Sequence, residues 1–594
     1  VFKKTISALT TFAFYVCMHS ISNANTVAWT VPSKEDRPKI DVQALEAYVD
    51  GAIKRTMTDY KTPGLVISIV RSDGALLEKG YGWSNPLTRR EANPQIDPFF
   101  IGSVSKVYTS VAVNKLIAEG LIDPDANIRE YLDPTTFDDS KGAITVMQLL
   151  THMNGHEERL TNYYGAIPGT DNLSDTEILA KIAPKQIRKP GHLIGYSNYA
   201  WVLLGQIVTS VTGQSFGDYL ENNIFQPLKM TQSGVVPKSQ EEAKLHKEVA
   251  SFIWRGNEYS KINITPALRL GDPSGGVRSS ARDMGRFARM LLNFGELDGV
   301  RVLDKETVLN AGKFRPKTAL EISGRTDTFW SSKIGQNRIY SHTGQREDFR
   351  SHLMIAPSLD IAFFVSVNGV SGSSLAIPNQ IIEHFFDKNI LPDFNQKTID
   401  FDSQKYVGHY RMSRTNISRF EKIIAAILMS GASVTSKSDS LIITISGNAD
   451  RYYPVAEGLF QSRSTGDYVR FDHYNDGQFQ SFSSQNFNIA VAERVTFWQT
   501  INAFFLLTGI GLVVSIIIVI GTPFQIYANM AAKVPSTGWF NLIWLLRLKA
   551  VCTLIIAFFF VIGFIPYTST AEAITKTFPS PTLAISFWMA LLVV

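Results

Sequence analysis

Cysteine is almost absent. Cys17 and Cys552 are the only two in 594 residues, and each lies in an apolar terminal run. The long middle of the chain therefore holds neither a disulfide framework nor a thiolate metal site. An excess of one charge is missing too: 58 Lys+Arg face 53 Asp+Glu, and charged residues make up 19% of the chain against about 25% in an average soluble domain. That balance excludes the clustered cations that phosphate backbones require, so no nucleic-acid partner is expected. No Gly-rich phosphate loop, internal repeat or low-complexity tract occurs, which disfavours P-loop enzymes. The ten histidines are scattered. His152 and His156 have helical spacing, but Asn154-Gly155 between them signals a turn, so neither a metal nor another cofactor is expected.

Hydrophobic runs crowd the two ends. Lys3 and Lys4 precede an apolar stretch from Ile6 to Met18, and Ser22-Asn23-Ala24 offers small residues for cleavage, which reads as a signal peptide over 1–24. Residues 497–521 are nearly continuous in apolar side chains, and at about 1.5 Å per residue they reach across a hydrocarbon core of about 30 Å. Further transmembrane helices are expected at 550–566 and 582–594. The connection after the first span carries Lys533, Arg547 and Lys549 and no acid, whereas the next has Glu572 near Lys576. By the positive-inside rule the first connection faces the cytoplasm, which places everything before Phe497 on the periplasmic or extracellular side of the cytoplasmic membrane.

Between those ends the pattern predicts an α+β domain over 25–395, with an antiparallel sheet packed by helices and a helical subdomain. After helix-like spacing up to Thr62-Pro63-Gly64, strands are expected at Leu65–Val70 and Ala75–Gly82, with Asp73-Gly74 supplying positive dihedrals for a tight turn. A buried helix is expected at Ser103–Glu119, two more at Tyr199–Thr212 and Asp283–Phe294, and a late strand at Asp360–Asn368. Residues 396–490 read as a small β-barrel-like domain, with strands at Leu441–Ile445, Tyr468–Tyr474 and Gln478–Phe482 and a hairpin turn at Asn475-Asp476-Gly477. It lacks an evident nucleophile and is expected to serve as a spacer, lid or partner surface.

Chemistry concentrates at three places. Ser103-Val104-Ser105-Lys106 opens the buried helix, and a separation of three residues brings Ser103 and Lys106 to one face, while Ser105 points about 100° away. Tyr196-Ser197-Asn198 and His342-Thr343-Gly344 follow in order. A serine hydroxyl is a weak nucleophile until a neighbouring base takes its proton. Lys106 and Tyr196 have reference pKa values near 10.4 and 10, so one of them must be shifted by burial or by its neighbour to act as base; either remains open as first acceptor. Asn198 lies on the same side of an extended segment as Tyr196, placed to bond a substrate amide or to steady Lys106.

On these motifs, together with Pro63-Gly64, Leu149-Leu150-Thr151-His152, Leu203-Leu204-Gly205, and Gly275-Gly276-Val277 leading to Asp283-Met284, the chain resembles the serine β-lactamase and penicillin-binding superfamily, specifically its class C-like branch with D-peptidases and esterases. The resemblance covers nearly all of residues 40–370. It implies that Tyr196 returns the proton to the leaving group, that Lys106 orients Ser103 and Tyr196, that the third motif lies on an edge strand aligning the substrate, and that the amides of Ser103 and Gln345 form the oxyanion hole. It implies substrate contacts at Asn198, His342, Thr343, Gly344 and Gln345. Histidine stands at 342 where the superfamily motif has lysine; an imidazole is mostly neutral at pH 7 and attracts a carboxylate less strongly, as in the peptidase and esterase branches.

The layout of leader, catalytic domain and terminal helices also resembles membrane-anchored prodrug peptidases that remove an N-acyl-D-asparagine group, such as the colibactin-maturing peptidase; the 396–490 unit departs from it. The resemblance implies a membrane-anchored serine hydrolase that forms an acyl-enzyme, a peptidase or amidase acting on a small peptide or acyl-peptide beside a D-residue. A β-lactamase or esterase and a noncatalytic sensor of penicillins or cell-wall fragments are the alternatives.

Overall fold

A computed structural model describes residues 29–159, 172–235, 240–262, 270–313, 324–346, 349–369, 373–386, 399–418, 431–445, 447–484 and 487–500, with scattered positions between 503 and 527. The first helix, α1 (Val42–Tyr60), starts where the Asp41 carboxylate accepts the N–H groups of Gln43 and Ala44 and ends at Lys61 in the left-handed region. Leu45, Val49 and Ile53 recur at helical spacing on its buried face. Strands β1 (Gly64–Arg71), β2 (Gly74–Asn85) and β3 (Arg90–Glu91) follow. Helices α2 (Ser105–Ala118), α3 (Asn198–Thr212) and α4 (Ala281–Leu292) precede β4 (Gly324–Arg325), β5 (Trp330–Ile334), β6 (Asn337–Arg346), β7 (Phe349–Ala356), β8 (Ile361–Val367) and α5 (Ile377–Phe386).

The eight strands form one sheet in the order β4-β5-β6-β7-β8-β1-β2-β3, with antiparallel pairing. β1 is buried along its whole length because both faces are covered. Leu65, Ile67 and Ile69 join α1 and α5 in one core, and Val66 and Val70 join Met284 and Phe287 of α4 in the other. At Gly285 the α4 backbone comes so close to β1 that an added Cβ would lie 2.4 Å from Ser68 Oγ. Helices α2 and α3 pack against each other in the larger core, and α2 is buried nearly all round, as its Val, Ala, Leu and Ile content implies.

The β1–β2 hairpin forms, but not by the expected turn. Arg71 pairs with Gly74, and neither Asp73 nor Gly74 has a positive φ. Arg37 and Lys34 instead hold the Asp73 carboxylate at 2.8 and 3.2 Å. The Asn475-Asp476-Gly477 turn does form as expected, with Asp476 at φ 49° and Gly477 at φ 76°.

The C-terminal unit is a closed eight-stranded barrel: β9 (Gly408–Met412), β10 (Ala432–Lys437), β11 (Ser440–Ile445), β12 (Asn448–Ala456), β13 (Leu459–Ser462), β14 (Tyr468–Asn475), β15 (Gln478–Ser484) and β16 (Phe487–Val495), with β16 closing on β9. Its last strand thus runs to Val495, past the expected boundary at 490. Tyr406, Tyr410, Phe460, Phe471, Phe479 and Phe482 fill the interior with ring contacts.

Phe497–Gln499 form a 3₁₀ turn. Among the described residues no helix is long and apolar enough to cross a membrane. Only scattered positions of the expected 497–521 span are described beyond that turn, and the leader at 1–24 and the spans at 550–566 and 582–594 lie outside the described residues.

Candidate active site

Ser103 lies in a 3₁₀ turn, Gly102–Val104, that runs directly into α2. The turn is wedged against β6. Gly102 has φ +53°, and a Cβ there would lie 2.5 Å from the Gln345 nitrogen; a Cβ on Gly344 would lie 1.9 Å from the Ile101 oxygen and 2.5 Å from Ser351 Oγ. These glycines let the Ser103 turn and the third motif touch backbone to backbone. Ser103 is partly accessible, whereas Ser105 is fully buried and accepts the Val277 N–H at 3.1 Å. Ser103 is the reachable hydroxyl of the pair.

Lys106 is fully buried one turn on. Its Nζ lies 3.3 Å from Ser103 Oγ and 2.8 Å from Asn198 Oδ1, and it also donates to the Ser274 carbonyl. Three acceptors match the three N–H bonds of an ammonium. The same Nζ sits 4.9 Å from the centroid of the Tyr196 ring. Ser103, Lys106, Tyr196 and Asn198 are thus brought together. Asn198 is the first residue of α3, capped by Ser197, and not part of an extended run as the sequence implied; its carbonyl steadies Lys106.

The third motif differs from expectation in two respects. β6 is an interior strand, flanked by β5 and β7, and not the edge of the sheet. Its register with β5 ends at the Trp330–Ser341 pair, so His342–Arg346 overrun that neighbour and pair, among the described strands, with β7 alone. A locally open edge is thereby made inside the sheet. The His342 side chain is 2% exposed, with Nδ1 on the Thr343 carbonyl at 2.8 Å and its ring 6.4 Å from Trp330. Thr343 and Gln345 are the exposed residues of this segment.

Several further residues complete the site, of which the sequence had pointed only to His152, through the Leu149-Leu150-Thr151-His152 stretch. His152, at φ 56° and fully buried, packs its ring 4.3 Å from that of Tyr196 and accepts the Ser197 N–H on Nδ1 at 3.0 Å. Trp330 lies 6.3 Å from Tyr196. Glu158 is buried; its Oε1 accepts from Asn198 Nδ2 at 3.3 Å, and Arg414 Nε lies 3.5 Å from its Oε2. Burial pushes the Glu158 carboxyl up, against the opposing pull of Arg414 and Lys106. Arg414 follows β9 of the barrel, and its guanidinium carbon stands 4.8 Å from the Tyr196 centroid. No spacing rule links these residues: His152, Trp330 and Glu158 are brought together by the fold of the catalytic domain, and Arg414 is added by docking of the barrel.

That docking is specific. The Glu158 N–H donates to the Thr415 carbonyl at 2.9 Å, and Asn416 Nδ2 donates to the Glu158 carbonyl at 3.2 Å. Ile417 and Ser418 donate their N–H groups to Glu157 Oε2, each at 2.9 Å. Arg188 reaches the Ser413 carbonyl at 3.0 Å and Glu493 at 2.9 Å. Met153, Leu193, Ile194 and Val491 form an apolar cluster across the junction.

A buried lysine held between a serine, an asparagine and a tyrosine ring, in a domain built on an antiparallel sheet, places the chain with the beta-lactamase and penicillin-binding superfamily. The beta-lactamase family model matches residues 49–383, more than half of the chain, and the protein belongs to that family. Among its relatives, Protein flp of Staphylococcus aureus (strain N315) is 24% identical over 323 residues, 54% of this chain and 62% of flp. Beta-lactamase-like protein 4 of Dictyostelium discoideum is 28% identical over 373 residues, 58% of this chain and 64% of that protein. The chain thus spans less than two thirds of the length of these curated relatives. The crystal structure of SurE has the same fold, at TM-score 0.53 and 19% identity, over 77% of this chain and all of SurE; SurE has also been solved with D-Leu, at TM-score 0.50 and 18% identity.

Proposed function

We propose that the protein is a membrane-anchored extracytoplasmic serine hydrolase of the class C-like branch, working through an acyl-enzyme on Ser103 as a peptidase or amidase beside a D-residue. One observation carries this: Lys106 Nζ lies 3.3 Å from Ser103 Oγ while facing the Tyr196 ring at 4.9 Å. Lys106 donates to Asn198 and to the Ser274 carbonyl and lies 3.3 Å from Ser103 Oγ, which supports Lys106 as the cation of the site and Tyr196 as the proton acceptor. Ser103 Oγ attacks the substrate carbonyl as its proton passes to the Tyr196 oxygen. The oxyanion is held by the Ser103 and Gln345 amides. Tyr196 then hands the proton to the leaving nitrogen, the C–N bond breaks, and water later cleaves the ester by the same proton path.

The open edge at His342–Arg346 supports a peptide laid along β6, with Thr343, Gly344 and Gln345 as its contacts. The D-residue is carried over from SurE, solved with D-Leu. His342 is turned onto the Thr343 carbonyl and supplies no ammonium for a β-lactam carboxylate, which favours a peptidase over a β-lactamase. Membrane anchorage is supported by Ile510, Val513, Val514, Ile517, Ile520 and Phe524, apolar side chains left exposed beyond the barrel.

Intact-mass analysis with a fluorophosphonate probe tests the assignment. The wild-type protein gains one adduct and Ser103→Ala gains none; an equal adduct on the variant would end it. A panel of D- and L-residue acyl peptides then reads the accepted acyl group, and rapid nitrocefin turnover would move the protein to the β-lactamases. Carbonate extraction of membranes should leave the protein in the pellet, and its release would remove the anchor.

A further inference from the structure

The barrel closes without leaving a container. Its interior is occupied by aromatic rings, so what it offers lies on its surface, where the segment after β9 runs across the catalytic domain. Anchoring of that segment uses Ser413, Thr415, Asn416, Ile417 and Ser418, through backbone groups and through Glu157, Arg188 and Glu158. The Arg414 side chain is not needed for any of those bonds. It turns inward, and its guanidinium stands 4.8 Å from the Tyr196 centroid on a site where Lys106 stands at 4.9 Å.

We propose that Arg414 is a positioning residue for the hydrolytic reaction, by which the barrel completes the active site and holds the Tyr196 phenol in its proton-accepting charge state. The inference rests on the reading of Tyr196 as the acceptor. Its physics is a charge count. Lys106, fully buried, and Arg414, partly buried, lie against the ring. The carboxyl of Glu158 lies 3.5 Å from Arg414 Nε and accepts from Asn198, and burial pushes it towards its neutral form, so it offsets the two cations only in part. Among the described residues, His152, which accepts the Ser197 N–H on Nδ1 as a neutral imidazole does, and His342, beyond Trp330, are further titratable neighbours. An opposite charge within about 4–6 Å favours the ionised form of a group by about one to three pH units, so both cations favour the phenolate. A catalytic domain without its barrel would keep Lys106 and lose the second.

The test is the pH dependence of Ser103 labelling by a fluorophosphonate, measured on the full chain between pH 5 and 10. In Arg414→Gln the rising limb moves to higher pH by about one to three units, and the rate at pH 7 falls by about tenfold or more. Arg414→Lys keeps the limb within about half a unit of wild type, because the cation is retained. The double variant Arg414→Gln with Glu158→Gln leaves no uncompensated carboxylate behind, guards against loss of folding in the single variant, and still shifts the limb upward. A melting transition is recorded for each. Limbs that superimpose on wild type in both glutamine variants overturn the proposal, as does a fall that is uniform at every pH, which a merely structural arginine would give. Absence of an adduct on the wild-type chain would instead overturn the underlying assignment of Ser103.

Discussion

Beside Ser103 the protein buries Lys106, Asn198 and Glu158, whereas the barrel a few ångströms away packs its lumen with Tyr406, Phe460, Phe471 and Phe482. Both regions bury these groups, yet they use that burial differently. Around the serine, low dielectric strengthens every charge contact and makes each unpaired one costly, so the groups are tied in sequence from Lys106 through Asn198 to Glu158 and Arg414. Inside the barrel the polar ties sit at one end of the rings, where Arg494 donates to Tyr410 Oη at 2.7 Å and Tyr410 Oη donates to the Tyr406 carbonyl at 2.6 Å; burial and edge-to-face packing hold the phenylalanines. The contrast teaches that the barrel's core holds its own shape, while its contacts with the catalytic domain are made by the segment after β9.

The sharpest way to break this comparison is at Lys106. Lys106→Met should leave an apolar stem of similar reach and lower the Ser103 labelling rate by about 10²–10⁴-fold, with the thermal transition retained; a near wild-type rate would remove the charge network from the account. In the barrel, Phe471→Ala should cost about 3–5 kcal/mol of barrel stability through cavity formation. Denaturant unfolding read by barrel fluorescence checks this, and labelling measured below the barrel transition should be unchanged. Loss of labelling with the barrel still folded would contradict that separation.

Next in size is the contact between the serine turn and β6. Gly344→Ala places a Cβ 1.9 Å from the Ile101 oxygen, so the turn must shift; a loss of about 2–3 kcal/mol together with slowed labelling is expected, measured by melting and by stopped-time mass spectrometry. The smallest effect concerns pH. Burial pushes the His156 imidazole down to about 4, while its ring is held by Asn154 and the Asp138 carbonyl, each at 2.6 Å. Its folded value lies below the unfolded reference of about 6.5, so the unfolded chain binds the extra proton between the two. The contribution is full above about 6.5 and is lost as pH falls towards 4. A wild-type minus His156→Gln difference in unfolding free energy that stays flat from pH 7 to 4 would refute it.

Much of this was legible in the chain. Ser103 and Lys106 could be paired because three residues on a helix bring two side chains together, and β1 and α2 could be placed because unbroken apolar runs need cover on every side. The Asp476-Gly477 turn read correctly, while Asp73-Gly74 did not, because ion pairs from Arg37 and Lys34 hold Asp73 and the local dihedral preference was not needed. The open edge at His342–Arg346 arises from how far β5 extends, a length that the motif itself does not encode. Glu158 and Arg414 were invisible because each is an ordinary charged residue in its own segment: the fold of the catalytic domain brings Glu158 to Asn198, and only docking of the barrel brings Arg414 to Tyr196.

The central claim is that one hydroxyl, that of Ser103, carries the acyl group. Peptide mapping of the chain quenched within seconds of mixing with a reactive acyl ester or penicillin tests it most directly, since Ser103 and Ser105 share one peptide and fragment ions separate them. The account predicts the added mass on Ser103 and its loss in Ser103→Ala. Mass retained on Ser105, or on a residue outside the 102–106 turn, would contradict it.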